Sequence, residues 1–247
     1  MRLKDKVAIV TGSGSGFGEG IAQRFTEEGA KVVVAEINVE HGVKVAGKLQ
    51  SGLFVEIDVR SNASVKTCVE KTLETHGCID IVVNNAGVSH LNRPMLEVDE
   101  ATFDDIYAVN VKGIYNMVVH VTEHLIASKG NMVNIASAGA VSPRAGLTWY
   151  NGTKGAVTTL TQSMAMELAP HKVRVNAVNP VFGDTGLTET FMGGSNEPET
   201  YAKFLDTIPL GRASTPLDIA NATLFLASDE AELITGLCME VDGGRCI

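Results

Sequence analysis

Tyr150 and Lys154 stand four residues apart in "YNGTK", and Ser137 closes the run "NIAS" upstream of them. On a helix, a spacing of four puts a phenol and an ammonium on one face. Free tyrosine titrates near about 10, too high for a base at neutral pH. An ammonium one turn away stabilises the phenolate and lowers that value. A serine hydroxyl beside them can hold the oxygen whose proton moves. The set describes acid/base work on a hydroxyl or carbonyl oxygen. "NNAG" (Asn84–Gly87) and Asn110 in "VNVKG" are two further polar motifs set among apolar runs.

A second cluster lies near the start. "TGSGSGFG", Thr11 to Gly18, places Gly12, Gly16 and Gly18 as G-x-x-x-G-x-G, with Ser15 and Phe17 between them. It follows the apolar run Val7–Val10 and opens a predicted helix. A turn this tight lets backbone approach a pyrophosphate, and the helix N-terminus offers free N–H groups and partial positive charge. Glu36 follows Gly18 by 18 residues, at the end of a second predicted strand. A carboxylate there accepts from both hydroxyls of an adenosine ribose and repels a 2′-phosphate. Neither Ser15 nor Ile37 supplies a countercharge. The pattern predicts NAD rather than NADP, and a bound nicotinamide cation lowers the tyrosine's pKa further.

Positioning these groups requires regular elements. Predicted strands at Val7–Thr11, Lys31–Glu36, Leu53–Ile57, Ile79–Val83, Asn131–Ala136, Val173–Ala177 and Leu237–Val241 alternate with helical spacing at Phe17–Glu28, Ala63–Thr75, Phe103–Ala127, Tyr150–Leu168 and Leu217–Leu226. Apolar strands alternating with helices imply an α/β fold: a doubly wound Rossmann-type domain whose seven-stranded parallel sheet is flanked by helices. No linker or repeat divides the chain, so one domain over residues 1–247 is expected. The exception is Phe182–Pro209, rich in Gly, Thr and Glu, which reads as a substrate lid. The formal charge of −9 speaks against a nucleic-acid or anionic-lipid surface. The four cysteines form no C-x-x-C pair and read as thiols of a cytoplasmic protein. No signal peptide or membrane span is predicted.

From Thr11-Gly12 to Asp242-Gly243-Gly244, the glycine turn, NNAG, Asn110, Ser137 and Tyr150-x-x-x-Lys154 follow one another in the order and at the spacing of the short-chain dehydrogenase/reductase family, which the chain closely resembles. The resemblance implies a role for each position. Tyr150 is the general acid/base, and Ser137 holds the substrate oxygen. Lys154 lowers the tyrosine's pKa and binds the nicotinamide ribose. Asn110 positions a water that relays protons to Lys154. Asp58 and Val59 flank the adenine. Asn85, Ala86 and Gly87 line the cofactor's path, and Thr185 meets the nicotinamide amide. A homotetramer is implied as well, with the C-terminal tail and the helix carrying His120 and His124 in separate interfaces. One departure touches the loop after the sixth strand: Val181 stands where the family usually has glycine, and Gly183 where a β-branched residue is common.

The expected activity is reversible hydride transfer between a secondary or aryl alcohol, or its carbonyl, and nicotinamide. His90, Arg144, Trp149, Phe182, Leu187, Phe191 and Met192 are candidates for the substrate wall. Trp149 either packs on a substrate ring or belongs to the core. Arg144 meets an anionic substrate group or is an exposed loop arginine. "TWY", the Phe191-Met192-Gly193 segment and the ending Val241–Ile247 resemble a subgroup that includes 4-formylbenzenesulfonate dehydrogenases. Reduction of 3-oxoacyl thioesters on acyl carrier protein is the alternative, though those enzymes typically use NADPH. "HVTEH" matches a zinc-peptidase pattern through His120, Glu123 and His124. No residue elsewhere is nominated as a third ligand, and no metal is expected. A cofactor-binding regulator without catalysis is a third class, against which the complete Asn, Ser, Tyr and Lys set speaks.

Overall fold

Every residue of Val7–Thr11 (β1), Ile81–Asn84 (β4) and Asn131–Ile135 (β5) is buried, with no inside–outside alternation. Strands of that kind must be covered on both faces. In the computed structural model, which describes residues 1–183, 185–195 and 197–247, they form the middle of one sheet. Lys31–Glu36 (β2), Gly52–Glu56 (β3), Arg174–Pro180 (β6) and Cys238–Val241 (β7) complete it in the order β3-β2-β1-β4-β5-β6-β7. Each adjacent pair is parallel. The chain leaves β1 towards β2 and β3, then returns to place β4 on β1's other side. That reversal opens a crevice at the carboxyl ends of β1 and β4, where sheets of this kind take ligands.

Helices cover both faces. Gly16–Glu27 (α1), Val39–Ala46 (α2) and Pro216–Ala227 (α9) pack on one through Ile21, Phe25, Val45, Ile219 and Leu224. Asn62–His76 (α3), Gly113–Ser128 (α5) and Thr148–Leu168 (α6) pack on the other through Val65, Val69, Met117, Leu125 and Leu168. Each such side chain contributes about 1.5–3 kcal/mol on burial. Local signals fix several starts: Asn38, Ser61 and Thr215 accept from first-turn N–H groups, and Thr215 pairs with Asp218 as a capping box.

The expected helix Phe103–Ala127 is not continuous. Glu100–Tyr107 (α4) gives way to one π-helical turn at Ala108–Lys112 before α5. The wider turn carries Asn110, which is bonded inward to Val88 and Thr153. β6 runs on to Pro180 rather than stopping at Ala177, because β7 continues to pair with it up to Val241. The expected lid contains two short helices, Thr188–Phe191 (α7) and Pro198–Leu205 (α8). Asp184 and Asn196, also within that span, lie outside the described residues.

Candidate active site

A cavity of about 460 Å³ runs along the carboxyl edge of the sheet. At one end it meets the turn between β1 and α1. A Cβ on Gly12 would come 2.8 Å from Ala86 Cα, and one on Gly18 would strike the Gly12 carbonyl oxygen. Two backbones therefore touch where only glycine fits. Gly12, Ser15, Gly16 and Phe17 line the cavity, whereas Gly18 serves the packing beneath it. Ser15 precedes α1 in extended conformation and its side chain makes no cap. The first-turn N–H groups are left for a ligand.

Glu36 ends β2 at the cavity wall. Its Oε2 accepts from Gly14 N at 2.9 Å, and its Oε1 accepts from Asn38 N at 3.0 Å. Those bonds fix the carboxylate and leave acceptor capacity on both oxygens. They also account for Gly14, which the G-x-x-x-G-x-G pattern leaves out: a Cβ there would lie 2.7 Å from Glu36 Cγ. Thr11 was likewise missed. Its hydroxyl accepts from the N–H groups of Asn85 and Ala86, strapping β4's exit to β1's, while Asn85 Nδ2 donates to the Thr11 and Gly12 carbonyls. Asp58, Val59 and the unpredicted Arg60 line the same region. Arg60 pairs with Asp58 and Asp105, which raises its pKa and holds Asp58 below the usual carboxylate range. Its charge is committed.

At the other end Ser137, just beyond β5, faces Tyr150 and Lys154 in the first turns of α6. Tyr150 and Lys154 are both buried. Lys154 Nζ donates to the Ile135 carbonyl at 2.8 Å and lies 5.8 Å from the centroid of the Tyr150 ring. Burial pushes the Tyr150 phenol up to about 12, although the neighbouring Ser137 hydroxyl pulls the other way. Burial also pushes Lys154 down to about 8. In the unliganded site burial is the dominant influence on the phenol, which is harder to ionise than free tyrosine.

Asn110 lies behind this pair. Its Oδ1 accepts from Val88 N, and its Nδ2 donates to Val88 O and Thr153 Oγ1. A Cβ on Gly87 would touch both Asn110 Oδ1 and Lys154 Nζ, at 3.3 and 3.4 Å. Both N–H groups of the Asn110 amide are thus engaged by protein groups while Oδ1 keeps one lone pair, and Val88 and Thr153 join the site as supports that no motif announced.

The substrate candidates separate. Phe182, Leu187 and Phe191 line the cavity, and the Phe191 ring lies 5.2 Å from that of Tyr150. Arg144 lies in an adjoining pocket that also reaches Ser137 and Tyr150. Trp149 is turned away: its Nε1 donates to Met95 O and its ring meets Phe103 edge-on. His90 is buried with Nδ1 on the Leu91 carbonyl, and neither it nor Met192 is among the lining residues. Thr185 lines the cavity against Gly16. Val181 needs no glycine-like conformation, since the positive-φ positions do not include it, and its carbonyl accepts from Ser214 Oγ. Gly183 leaves room for Phe17 and the Ser214 carbonyl. Among the described residues no three His, Cys, Asp or Glu side chains converge on a metal position. His120 bonds Asn62 instead.

A parallel seven-stranded sheet with a glycine turn at its switch point, and with Ser, Tyr and Lys at its carboxyl edge, is the architecture of a dinucleotide-dependent oxidoreductase. The chain belongs to the short-chain dehydrogenase/reductase family: the family profile described as Enoyl-(Acyl carrier protein) reductase matches residues 12–245. It is 44% identical to 4-formylbenzenesulfonate dehydrogenase of Comamonas testosteroni over 100% of both chains. It is 38% identical to a 3-oxoacyl-[acyl-carrier-protein] reductase of Chlamydia pneumoniae, over 98% of this chain and 97% of that protein. The crystal structure of a 3-ketoacyl-(acyl-carrier-protein) reductase from Brucella melitensis complexed with NADH superposes with a TM-score of 0.94 at 44% identity, covering 99% of this chain and 100% of that one.

Proposed function

We propose that the protein is an NAD-dependent alcohol dehydrogenase that oxidises a secondary or aryl alcohol, reversibly, with Tyr150 as acid/base. The observation that carries this reading is one continuous cavity with Glu36 and the glycine turn at one end and Ser137, Tyr150 and Lys154 at the other. The Gly12 cradle, the open first turn of α1 and the spare acceptor capacity of Glu36 fit a dinucleotide with a free ribose 2′-hydroxyl. The NADH in the Brucella melitensis structure supports the same cofactor.

Bound NAD supplies the acceptor for the carbinol hydride. The chain does the rest. Ser137 donates to or accepts from the substrate oxygen and holds it beside the Tyr150 phenol. Tyr150 takes the hydroxyl proton in oxidation and returns one to the carbonyl oxygen in reduction. Its high starting pKa makes this step depend on added positive charge at the site. Lys154, anchored on the Ile135 carbonyl, stays in place to supply part of that charge. With both N–H groups of the Asn110 amide committed to Val88 and Thr153, a relay water beside Lys154 is left the spare lone pair of Asn110 Oδ1 and main-chain groups. The stretch Phe182–Pro209 serves as the lid of a single domain spanning residues 1–247.

Assembly and location belong to the same reading. A homotetramer is supported by apolar side chains left in solvent on α5, α6 and the tail, among them Tyr115, Val119, Met166 and Ile247. Four free thiols suit a reducing cytoplasm. Reduction of 3-oxoacyl thioesters is the second reading, favoured by the names of two of the relatives above. A panel of benzylic and secondary alcohols with NAD, followed at the NADH absorbance band, separates the two when run beside a 3-oxoacyl thioester with NADH. Turnover of the alcohols alone supports the proposal, and turnover of the thioester alone replaces it.

A further inference from the structure

The pocket beside Ser137 and Tyr150 holds two guanidinium groups from distant parts of the chain. Arg144 comes from the loop before α6, and Arg245 from the C-terminal segment after β7. Arg144 stacks over the Phe204 ring at 4.5 Å and donates to Thr207 Oγ1 at 2.6 Å. Arg245 donates to Ser142 Oγ at 2.6 Å, and its buried Nε has no partner. Among the described residues neither forms an ion pair, although carboxylates neutralise Arg2, Arg24, Arg60 and Arg212 elsewhere. The two are near enough that the charge on Arg245, after burial, lowers the pKa of Arg144.

Two like charges, partly desolvated and without a counter-ion, are unfavourable unless an anion joins them. Hydroxyl and aromatic partners fix Arg144 in direction without neutralising it, so its fork remains aimed and charged. The rings of Phe182 and Phe191 line both this pocket and the main cavity, alongside Tyr150. A substrate ring seated in the main cavity of about 460 Å³ can stack on them with its far end towards the arginines. From this geometry we infer that the substrate is an aryl alcohol, or its aldehyde, carrying an oxyanion on the ring, and that Arg144 and Arg245 clasp that oxyanion while Tyr150 and Ser137 hold the reacting oxygen.

This rests on the dehydrogenase reading, so the test has a turnover arm and a binding arm. Wild-type enzyme, Arg144→Gln and Arg245→Gln are compared on 4-(hydroxymethyl)benzoate, 4-(hydroxymethyl)benzenesulfonate and neutral 4-methylbenzyl alcohol with NAD. The readout is the ratio of kcat/KM for each anionic substrate to that for the neutral one. A hydrogen bond to a charged group corresponds to a loss of about 10- to 100-fold, so each variant lowers the ratio by that order. The two anions distinguish a carboxylate from a sulfonate as the preferred group. In the second arm the unreactive anions 4-methylbenzoate and 4-methylbenzenesulfonate are titrated calorimetrically into enzyme saturated with NAD. Binding of either that weakens in both variants supports the clasp even if no alcohol turns over, and in that event only the activity reading fails. A wild-type enzyme that favours the neutral alcohol, a ratio unchanged in both variants, or anion binding indifferent to the arginines overturns the proposal.

Discussion

Lys154 Nζ lies 5.8 Å from the centre of the Tyr150 ring, and burial drives the two groups in opposite directions, the phenol up to about 12 and the ammonium down to about 8. Each is less willing to carry charge than in water. At neutral pH the unliganded site therefore pairs a protonated phenol with an ammonium held only a little above its titration point. That relationship makes the pH behaviour of the free enzyme informative.

In the unfolded chain Lys154 keeps its proton up to about 10.5, whereas the folded enzyme releases it near about 8. Below pH 8 both states are charged and folding carries the full burial cost. Between those values the unfolded state holds more protons, so stability gains with rising pH. A shift of this size corresponds to about 3 kcal/mol as an upper figure. Lys154→Met should therefore stabilise the nucleotide-free enzyme at pH 7, and the advantage should fade by pH 10. Denaturant melts of both proteins at the two pH values measure it. A stability difference that does not change with pH rejects the account.

Tyr150→Phe keeps the ring, and with it the contact to Phe191, while removing the group that carries the proton. General acid/base catalysis contributes roughly 10²–10⁴-fold. A fall in kcat of at least that order is expected, with NAD affinity by fluorescence titration nearly unchanged. Turnover close to wild type would remove Tyr150 from the mechanism.

The cofactor prediction rests on Glu36. Its carboxylate is pinned by Gly14 and Asn38, and the neighbouring Arg60 is spent on Asp58 and Asp105, so among the described residues lining the ribose end no cation is left unpaired to neutralise a 2′-phosphate. Glu36→Ala should raise kcat/KM with NADP relative to NAD by about 10-fold or more, and Glu36→Arg should go further. Steady-state comparison of the two nucleotides tests this. A wild-type preference for NADP would show that the carboxylate has been misread.

How far the residues announced this site depended on where their partners lie. β1 and β2 could be read to the residue because continuous apolar runs end in a glycine turn and in Glu36. Tyr150 and Lys154 were legible because helical spacing alone puts them together. The π-turn at Asn110 was not, since it answers to Val88 and Thr153, which are distant in sequence. Trp149 follows the same logic: adjacency to Tyr150 left pocket wall and core both open, and the preceding helical position points away from the cavity, towards Phe103 and Met95. The upward push of burial on the Tyr150 phenol was not legible either, because no spacing encodes desolvation.

The last prediction concerns the segment over the site and the surfaces around it. Phe182, Phe191, Tyr201 and Phe204 gather into a small apolar cluster of their own, separate from the two that cover the sheet faces. The chain crosses Gly193 and Gly194 at positive φ within it. A small cluster beside glycines that offer little resistance to backbone motion belongs to the low-stability end of a fold. Closing over substrate buries the same rings against the ligand, so ordering and binding are coupled. Amides between Phe182 and Pro209 should exchange faster than those of β1 and β5 in the free enzyme, and slow on addition of NAD with substrate. In a homotetramer α5 and the tail should also be protected, whether or not ligand is present, because interfaces rather than ligand cover them. Hydrogen exchange by mass spectrometry reads both effects in one experiment, and light scattering at micromolar concentration fixes the assembly. Exchange over Phe182–Pro209 as slow as in the sheet and indifferent to ligand would discard the lid, and a monomer by scattering would discard the tetramer.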